Sequence, residues 1–374
     1  MNLAPTALMA QAEEATGLSD WGTGEVYEPL QRFWQALHHE ASLTPAGTQI
    51  FQQESVRLLA NRLLLEAEFA RLPPGAFVPL TAPLFVVGLF RSGTSLLHNL
   101  LAQDPAARWL HLAEALYPVP APVAAHWPAD PRLERASALI HLQNGLAADF
   151  VRAHHIAANK PAECSRLFEH SWIGHLFDFR ASVPSYADWL LHQPLRAPYR
   201  DYHRQLQYLS LAWPPESHWV LKAPAHLYAL ETLVAEFPSA HIVYLHRDPQ
   251  EVLPSCCSLT AAGRRRFSDR IDPSAIGAYW LERLAALARR SSAARAAIPP
   301  AQILDVHYTE LTANPLQTVY AIYEYFGYRW NAGLARNLSQ WLAQNPQHQH
   351  GLHRYTLEQF GLVESQVTEA FEAR

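Results

Sequence analysis

Residues 83–102, PLFVVGLFRSGTSLLHNLLA, constrain the fold of this chain more than any other stretch. Pro83 and the apolar run from Leu84 to Val87 read as a short strand buried on both faces, and Gly88 to Gly93 as a tight loop. From Thr94 onward, Leu96, Leu97, Leu100 and Leu101 fall at helical spacing. A strand, a glycine loop and a helix in succession aim backbone N–H groups and the positive end of a helix dipole at whatever lies in the loop. An anionic phosphate suits that place; the alternative is a glycine turn that binds nothing.

Gly88 and Gly93 have the separation of the ATPase P-loop pattern G-x-x-x-x-G-K-[ST], and Ser95 holds its final hydroxyl position. The lysine of that pattern is absent. Thr94 stands in its place, and the nearby cation, Arg91, lies inside the loop. This points to a nucleotide with its 5′-phosphate in the cradle and a transferable group beside Arg91. The residues GLFRSGTSLLHNLL resemble the 5′-phosphosulfate loop of the sulfotransferases, which use 3′-phosphoadenosine 5′-phosphosulfate (PAPS). The resemblance implies that Arg91, Ser92, Gly93, Thr94 and Ser95 hold the donor and that Arg91 also acts in the transfer. Phe90, where relatives commonly have proline, and Ser95, where they have threonine, are departures that remove no backbone donor.

A second informative segment is 219–259, WVLKAPAHLYALETLVAEFPSAHIVYLHRDPQEVLPSCCSL. Trp219 to Leu221 reads as a strand, 225–236 as a helix and Ile242 to Leu245 as a buried strand, a unit consistent with a parallel sheet and helical crossovers. Arg247 follows a strand's C-terminal end, where ligands of open α/β sheets collect, and Ser255 comes eight positions later. The pair resembles the family's 3′-phosphate site, where a planar guanidinium and a hydroxyl grip the phosphate. By the same resemblance Lys222 joins the catalytic groups. His226 is an acceptor-binding residue or an ordinary helix-start histidine. Residues 302–327 read as strand, turn and helix ending at Gly327 and resemble a Y-E-x-L-x-x-x-P segment with Thr309 in place of the acid; Tyr308 is thereby implied to contact the nucleotide. In the tail, H-R-Y followed by L-E-x-F-G-L resembles the family's C-terminal segment and implies that Arg354 meets the 3′-phosphate.

An acceptor hydroxyl must lose its proton as it attacks sulfur, so a carboxylate has to lie within hydrogen-bond reach. The resemblance to the tyrosylprotein and heparan sulfotransferases carries the general base to Glu114, about twenty residues beyond Arg91. The P-x-E-C pattern at 161–164 resembles bacterial members and makes Glu163 the second candidate, for base or acceptor binding. His155, in the same Pro-, Trp-, His- and Tyr-rich region of 120–200, is an acceptor-binding candidate. Aromatic faces there suit an acceptor pocket. The run Arg264, Arg265 and Arg266 reads as a solvated loop, with closure over the 3′-phosphate or contact with an anionic acceptor as the sharper alternative.

The expected fold is α/β: a P-loop-like three-layer sandwich with a central, mainly parallel sheet flanked by helices, and an N-terminal helical extension. One domain over 1–374 is expected, with the extension at 1–80, the nucleotide core at 81–330 carrying an acceptor-pocket insertion at about 115–215, and a C-terminal lid at 331–374. The helices of 1–80 read as packing helices, with a substrate entrance as the alternative. A net charge of −5 gives no general attraction to nucleic acid or an anionic membrane. Cys164, Cys256 and Cys257 form no disulfide framework, no basic segment leads an apolar core at the N-terminus, and no apolar run spans a bilayer. A reducing cytoplasm is the simplest setting, and the resemblance implies an enzyme that uses PAPS as co-substrate and no metal; His348, His350 and His353 lack a placed fourth ligand. The acceptor is a small molecule, lipid or carbohydrate with a hydroxyl or amine, and a homo-oligomeric state stays open. A P-loop kinase and a non-catalytic nucleotide-binding protein are the rival readings.

Overall fold

The computed structural model of the 374-residue chain describes residues 4–23, 25–144, 157–346 and 355–372. Five strands form one parallel sheet: β1 Leu84–Gly88, β2 Arg108–Trp109, β3 Trp219–Lys222, β4 His241–His246 and β5 Ile303–His307, in the order β2-β3-β1-β4-β5. From β1 the chain first builds β2 and β3 on one side and then β4 and β5 on the other. The crevice at the carboxyl end of β1 is therefore the switch point at which open parallel sheets bind ligands.

The sheet is central because β1 is apolar at every position that points to a neighbour. Phe85 and Val87 enter one core with Leu221, Ile242 and Tyr244, whereas Leu84 and Val86 enter a second with Val220, Val243 and Leu245. Alternation with a period of two places these sets on opposite faces, and helices cover both. The second face packs Leu97, Leu100 and Leu101 of the helix Thr94–Leu101 against Val319, Ile322 and Tyr323 of the helix Pro315–Phe326. Gly327 ends that latter helix in the left-handed region, as the sequence indicates.

The N-terminal helices Pro5–Thr16, Tyr27–Glu40 and Pro45–Arg71 share a core with the first face. The third is 27 residues long and brings Glu54 and Arg57 toward the sheet's ligand-binding edge. Its start is held by Thr44, whose hydroxyl accepts from the Gly47 N–H and whose own N–H donates to the Phe267 carbonyl at 2.9 Å.

Two local expectations are corrected and one strand is added. The helix read over 225–236 begins as a 3₁₀ turn, Pro224–Ala229, and is α-helical only over Leu230–Glu236. β2 has two residues, too few for a periodic pattern, and its pairing with β3 defines it. The arginine run is not a solvated loop. Arg264 is the last residue of the helix Pro249–Arg264 and donates from Nε to the Asp178 carbonyl at 3.0 Å, Arg266 is buried, and only Arg265 is exposed. Among the described residues of 120–200, the 3₁₀ turns Ala124–Ala129, Cys164–Ser171 and His175–Phe179 accompany the helices Pro131–Asn144 and Pro184–Leu191. Among the described residues no helix is long and apolar enough to cross a membrane.

The helix Pro273–Arg295 is pressed against the turn Glu358–Phe360 at Gly277, where an added Cβ would lie 2.1 Å from the Phe360 carbonyl oxygen. A backbone atom cannot swing aside. Gly277→Ala is therefore expected to destabilise the protein by about 1–3 kcal/mol, read as a lower urea midpoint, by forcing the C-terminal segment off the sheet domain.

Candidate functional site

At the carboxyl ends of β1, β3 and β4 lies a cavity of about 480 Å³, lined by the loop residues Arg91, Gly93, Thr94 and Ser95 together with Lys222, Arg247, Tyr308 and Glu163. Sheet register explains the convergence. Gly88 pairs with Leu245, so the loop after β1 and Arg247 after β4 leave the sheet side by side, and Val86 pairs with Lys222 at the end of β3.

The loop turns through three residues with positive φ: Gly88 at 153°, Arg91 at 71° and Gly93 at 98°. Gly93 also permits close approach, since a Cβ there would sit 2.6 Å from the ring of Tyr308. Arg91 is held in its uncommon backbone conformation from β4's side of the sheet. Arg247 Nη1 donates to the Arg91 carbonyl at 2.9 Å, and Arg91 Nε donates to Ser255 Oγ at 3.1 Å. Arg247 is itself braced by Glu251, to which Nε donates at 2.8 Å, and its guanidinium lies 4.1 Å from the centroid of the Tyr308 ring. Asp248 accepts from the Gln250 N–H and Pro249 follows it, so Ser255 is carried on a well-started helix. Arg91, Arg247, Ser255 and Tyr308, far apart in sequence, thus meet in one place.

Ser92 departs from expectation. Its side chain is buried away from the cavity and its N–H donates to the Leu89 carbonyl at 3.1 Å, so it shapes the loop rather than facing a ligand.

Lys222 and Glu163 form the polar centre beside the loop. Lys222 Nζ donates to Glu163 Oε1 at 2.6 Å and to Ser95 Oγ at 3.2 Å. Glu163 precedes the turn Cys164–Ser171 and arrives at the cavity because residues 158–162 run along the segment 110–113. There the Ala162 N–H donates to the Leu110 carbonyl at 2.8 Å and the Leu112 N–H to the Lys160 carbonyl at 3.0 Å.

Glu114 occupies a different place. It is fully buried and does not line the cavity. One carboxylate oxygen accepts from Arg108 Nη2; the other accepts from the His111 N–H at 2.8 Å and lies 3.0 Å from His111 Nδ1. Burial alone would raise its pKa, but the adjacent guanidinium and the His111 contacts outweigh it and bring the value down to about 2. A carboxylate so satisfied is a poor proton acceptor, and its partner His111 belongs to the segment along which residues 158–162 run.

His226 is also corrected. It is buried off the cavity, with Nε2 3.2 Å from Cys164 Sγ and Nδ1 2.8 Å from the Tyr199 hydroxyl. Burial drives its pKa down to about 3, so it is a neutral core histidine. His155, Arg354 and the tail histidines 348, 350 and 353 lie outside the described residues.

Two groups escaped the sequence reading. His98 lines the cavity and is buried. Its pKa is driven down to about 3 by burial and then by nearby Lys222, and its Nε2 has no hydrogen-bond partner among the described residues. Its position three residues after Ser95, on the same helix face, was the available signal. The other is the far wall, where Phe90, Leu176, Phe179 and Leu259 lead to Glu54, Arg166, Arg180 and Arg266. Among the described lining residues, seven are lysine or arginine and two are carboxylates. A protein of net negative charge therefore encloses a strongly electropositive space, suited to a polyanion with an apolar companion.

The model of the sulfotransferase family matches residues 83–332. The omega-hydroxy-beta-dihydromenaquinone-9 sulfotransferase Stf3 of Mycobacterium bovis is 24% identical over 294 residues, covering 75% of this chain and 72% of that protein, and its Mycobacterium tuberculosis counterpart matches equally. The crystal structure of sulfotransferase STF1 from Mycobacterium tuberculosis superposes with a TM-score of 0.88 at 32% identity, over 100% of this chain and 99% of that one. STF9 from Mycobacterium avium superposes with a TM-score of 0.88 at 26% identity, over 99% and 95%.

Because the folded value for Glu114, about 2, lies below the ordinary 4.5, the stability it contributes is present above pH 4.5 and is lost as the pH falls through about 2. Glu114→Ala leaves Arg108 buried without its partner. It should cost about 3–5 kcal/mol at neutral pH, with the gap from the parent protein narrowing below pH 4.5 in denaturant titrations run across pH.

Proposed function

The chain belongs to the sulfotransferase family, and on that footing we propose that this sulfotransferase takes its sulfuryl group from PAPS and passes it to a hydroxyl of a largely apolar acceptor. The observation that carries the donor assignment is the meeting of Arg91, Arg247 and Ser255 at hydrogen-bond distance around one loop. A nucleotide phosphorylated at both ends of its ribose offers an anion to each. The helix N-terminus and the N–H groups of Gly93, Thr94 and Ser95 suit the 5′-phosphosulfate. Arg247 and Ser255 suit the 3′-phosphate, and the Tyr308 ring, lying over Gly93, suits the nucleoside between them.

In this reading the acceptor oxygen attacks sulfur while Glu163 takes its proton. The bond from sulfur to the 5′-phosphate oxygen breaks, and adenosine 3′,5′-bisphosphate leaves with the electron pair. Arg91 and Lys222 meet the charge that develops on the sulfuryl and leaving oxygens. Lys222 is suited to this because it already spans the base and Ser95. Glu163 is preferred to Glu114 as base because it faces the cavity and its side chain is about a fifth exposed, whereas Glu114 is fully buried off the cavity. No covalent enzyme intermediate is needed, so positioning and fixed charge supply the catalysis. The acceptor class draws support from the apolar wall formed by Leu112, Leu116, Leu139, Ile140 and Phe90, and from the Stf3 relative, whose name gives a hydroxylated dihydromenaquinone.

Turnover with radiolabelled PAPS and a panel of hydroxylated apolar acceptors tests the whole reading. Glu163→Gln should lower kcat by about 10²–10⁴ while binding of adenosine 3′,5′-bisphosphate is kept; the opposite split, with Glu114→Gln inactive but stable, would reverse the base assignment. In thermal-shift titrations the bisphosphate should stabilise the protein more than ADP or ATP does, and Arg247→Ala should erase that preference. A preference for ATP would favour the kinase reading.

A further inference from the structure

The arginine run that closes the helix Pro249–Arg264 is not used by the donor site. Arg266 lines the cavity, and two arginines from separate segments line it as well: Arg166 on the turn Cys164–Ser171 and Arg180 just after His175–Phe179. Glu54 is the carboxylate among the described lining residues at this end, and it already accepts from Arg180 Nη1 at 2.8 Å and from Nη2. The carboxylate nearest Arg166, that of Glu169, is 3.9 Å away and off the cavity, and burial raises its pKa toward the neutral acid. Arg57 adds a further guanidinium behind Glu54, at 3.5 Å. Burial, followed by repulsion from Arg180, lowers the pKa of Arg266 to about 10. Arg266 has contacts of its own, so this end of the cavity offers concentrated positive charge rather than an idle side chain.

Of these three arginines only Arg266 adjoins the helix that carries Ser255, and it lies two residues past that helix's end. Ser255 and Arg264 belong to one continuous helix and stand nine positions apart, a rise of roughly 13 Å. The space between is apolar. Leu259 lies on the same helix, and Phe90, which adjoins Arg91, packs its ring 5.1 Å from that of Phe179, which adjoins Arg180. The wall thus runs from the donor loop through two aromatic rings to a guanidinium.

We propose that the Arg166, Arg180 and Arg266 end of the cavity is a subsite for an acidic group of the acceptor, which is then an amphiphile with its hydroxyl at the Lys222 and Glu163 end and a carboxylate or phosphate at the other. This rests on the sulfotransferase reading of the same cavity. Paired guanidinia in a partly dry wall bind such oxyanions by charge-assisted hydrogen bonds, and the apolar stretch between the two ends selects a hydrocarbon or aromatic spacer.

The test is calorimetric titration of the protein, free and saturated with adenosine 3′,5′-bisphosphate, with octanoate, octyl phosphate and octanol. Octanoate or octyl phosphate should bind at least about tenfold more tightly than octanol, and the stronger of the two identifies the acid. Arg266→Gln and Arg166→Gln should each remove most of that difference while leaving octanol binding unchanged, and Arg266→Lys should retain part of it. Arg166 is the more exposed of the two, so its variant still reads the effect if Arg266→Gln fails to fold. Equal binding of acid and alcohol, or equal weakening of both in the variants, would overturn the subsite. Absence of bisphosphate binding would instead count against the donor reading, because the free-protein titrations compare acid and alcohol without it.

Discussion

The hydrogen bond from Arg247 to the Arg91 carbonyl is the constraint on which the rest of the site depends. The loop after β1 places a non-glycine residue in the left-handed region, a conformation that costs of order 1–3 kcal/mol and persists only where the surroundings over-determine it. The determining contacts come from β4 and the helix behind it: Arg247 takes the carbonyl and Ser255 takes the guanidinium of the same residue. Because β4 pairs with β1 through Gly88 and Leu245, the sheet delivers both contacts without further adjustment. The strained residue and the cations around it are therefore one unit, organised by the fold itself.

The two glutamates first weighed as bases show how environment divides like groups between roles. Glu114 is locked into a capping box with His111 and an ion pair with Arg108, whose guanidinium lies over Trp213 and Trp219. It fixes the segment 110–113, against which residues 158–162 lie, and so sets where Glu163 emerges. One carboxylate holds the backbone; the other faces the cavity with a lysine within hydrogen-bond distance. This separation follows from burial and partner, not from residue type.

Charge is distributed in the same economical way. The chain as a whole is acidic, yet the lining of its main cavity is rich in arginine and lysine, and the apolar residues that separate the two cationic ends come from the N-terminal half, the 3₁₀ turns and the helix after β4 alike. The N-terminal helices, which the sequence presents mainly as packing elements, reach into this lining through Glu54, because they share one core with the sheet. A long-range steering field from net charge plays no part; the attraction for an anion is local and needs the enclosed geometry.

From residues alone the strand, glycine loop and helix at 83–102 and the strands near 220 and 243 were legible, whereas placing Arg91, Arg247, Ser255 and Tyr308 at a nucleotide came from the resemblance to the sulfotransferases. Those elements are legible because strand burial, positive φ and helix starts depend on neighbours a few positions away. What the tertiary structure alone decided is which side chains face the cavity. Glu114, Ser92 and His226 turn out to be interior groups, Arg266 and His98 to be lining groups, and a two-residue strand appears where no period can be read. Arg180 with Glu54 and Arg91 with Ser255 are partners 126 and 164 residues apart, and local pattern carries no record of contacts made at that range.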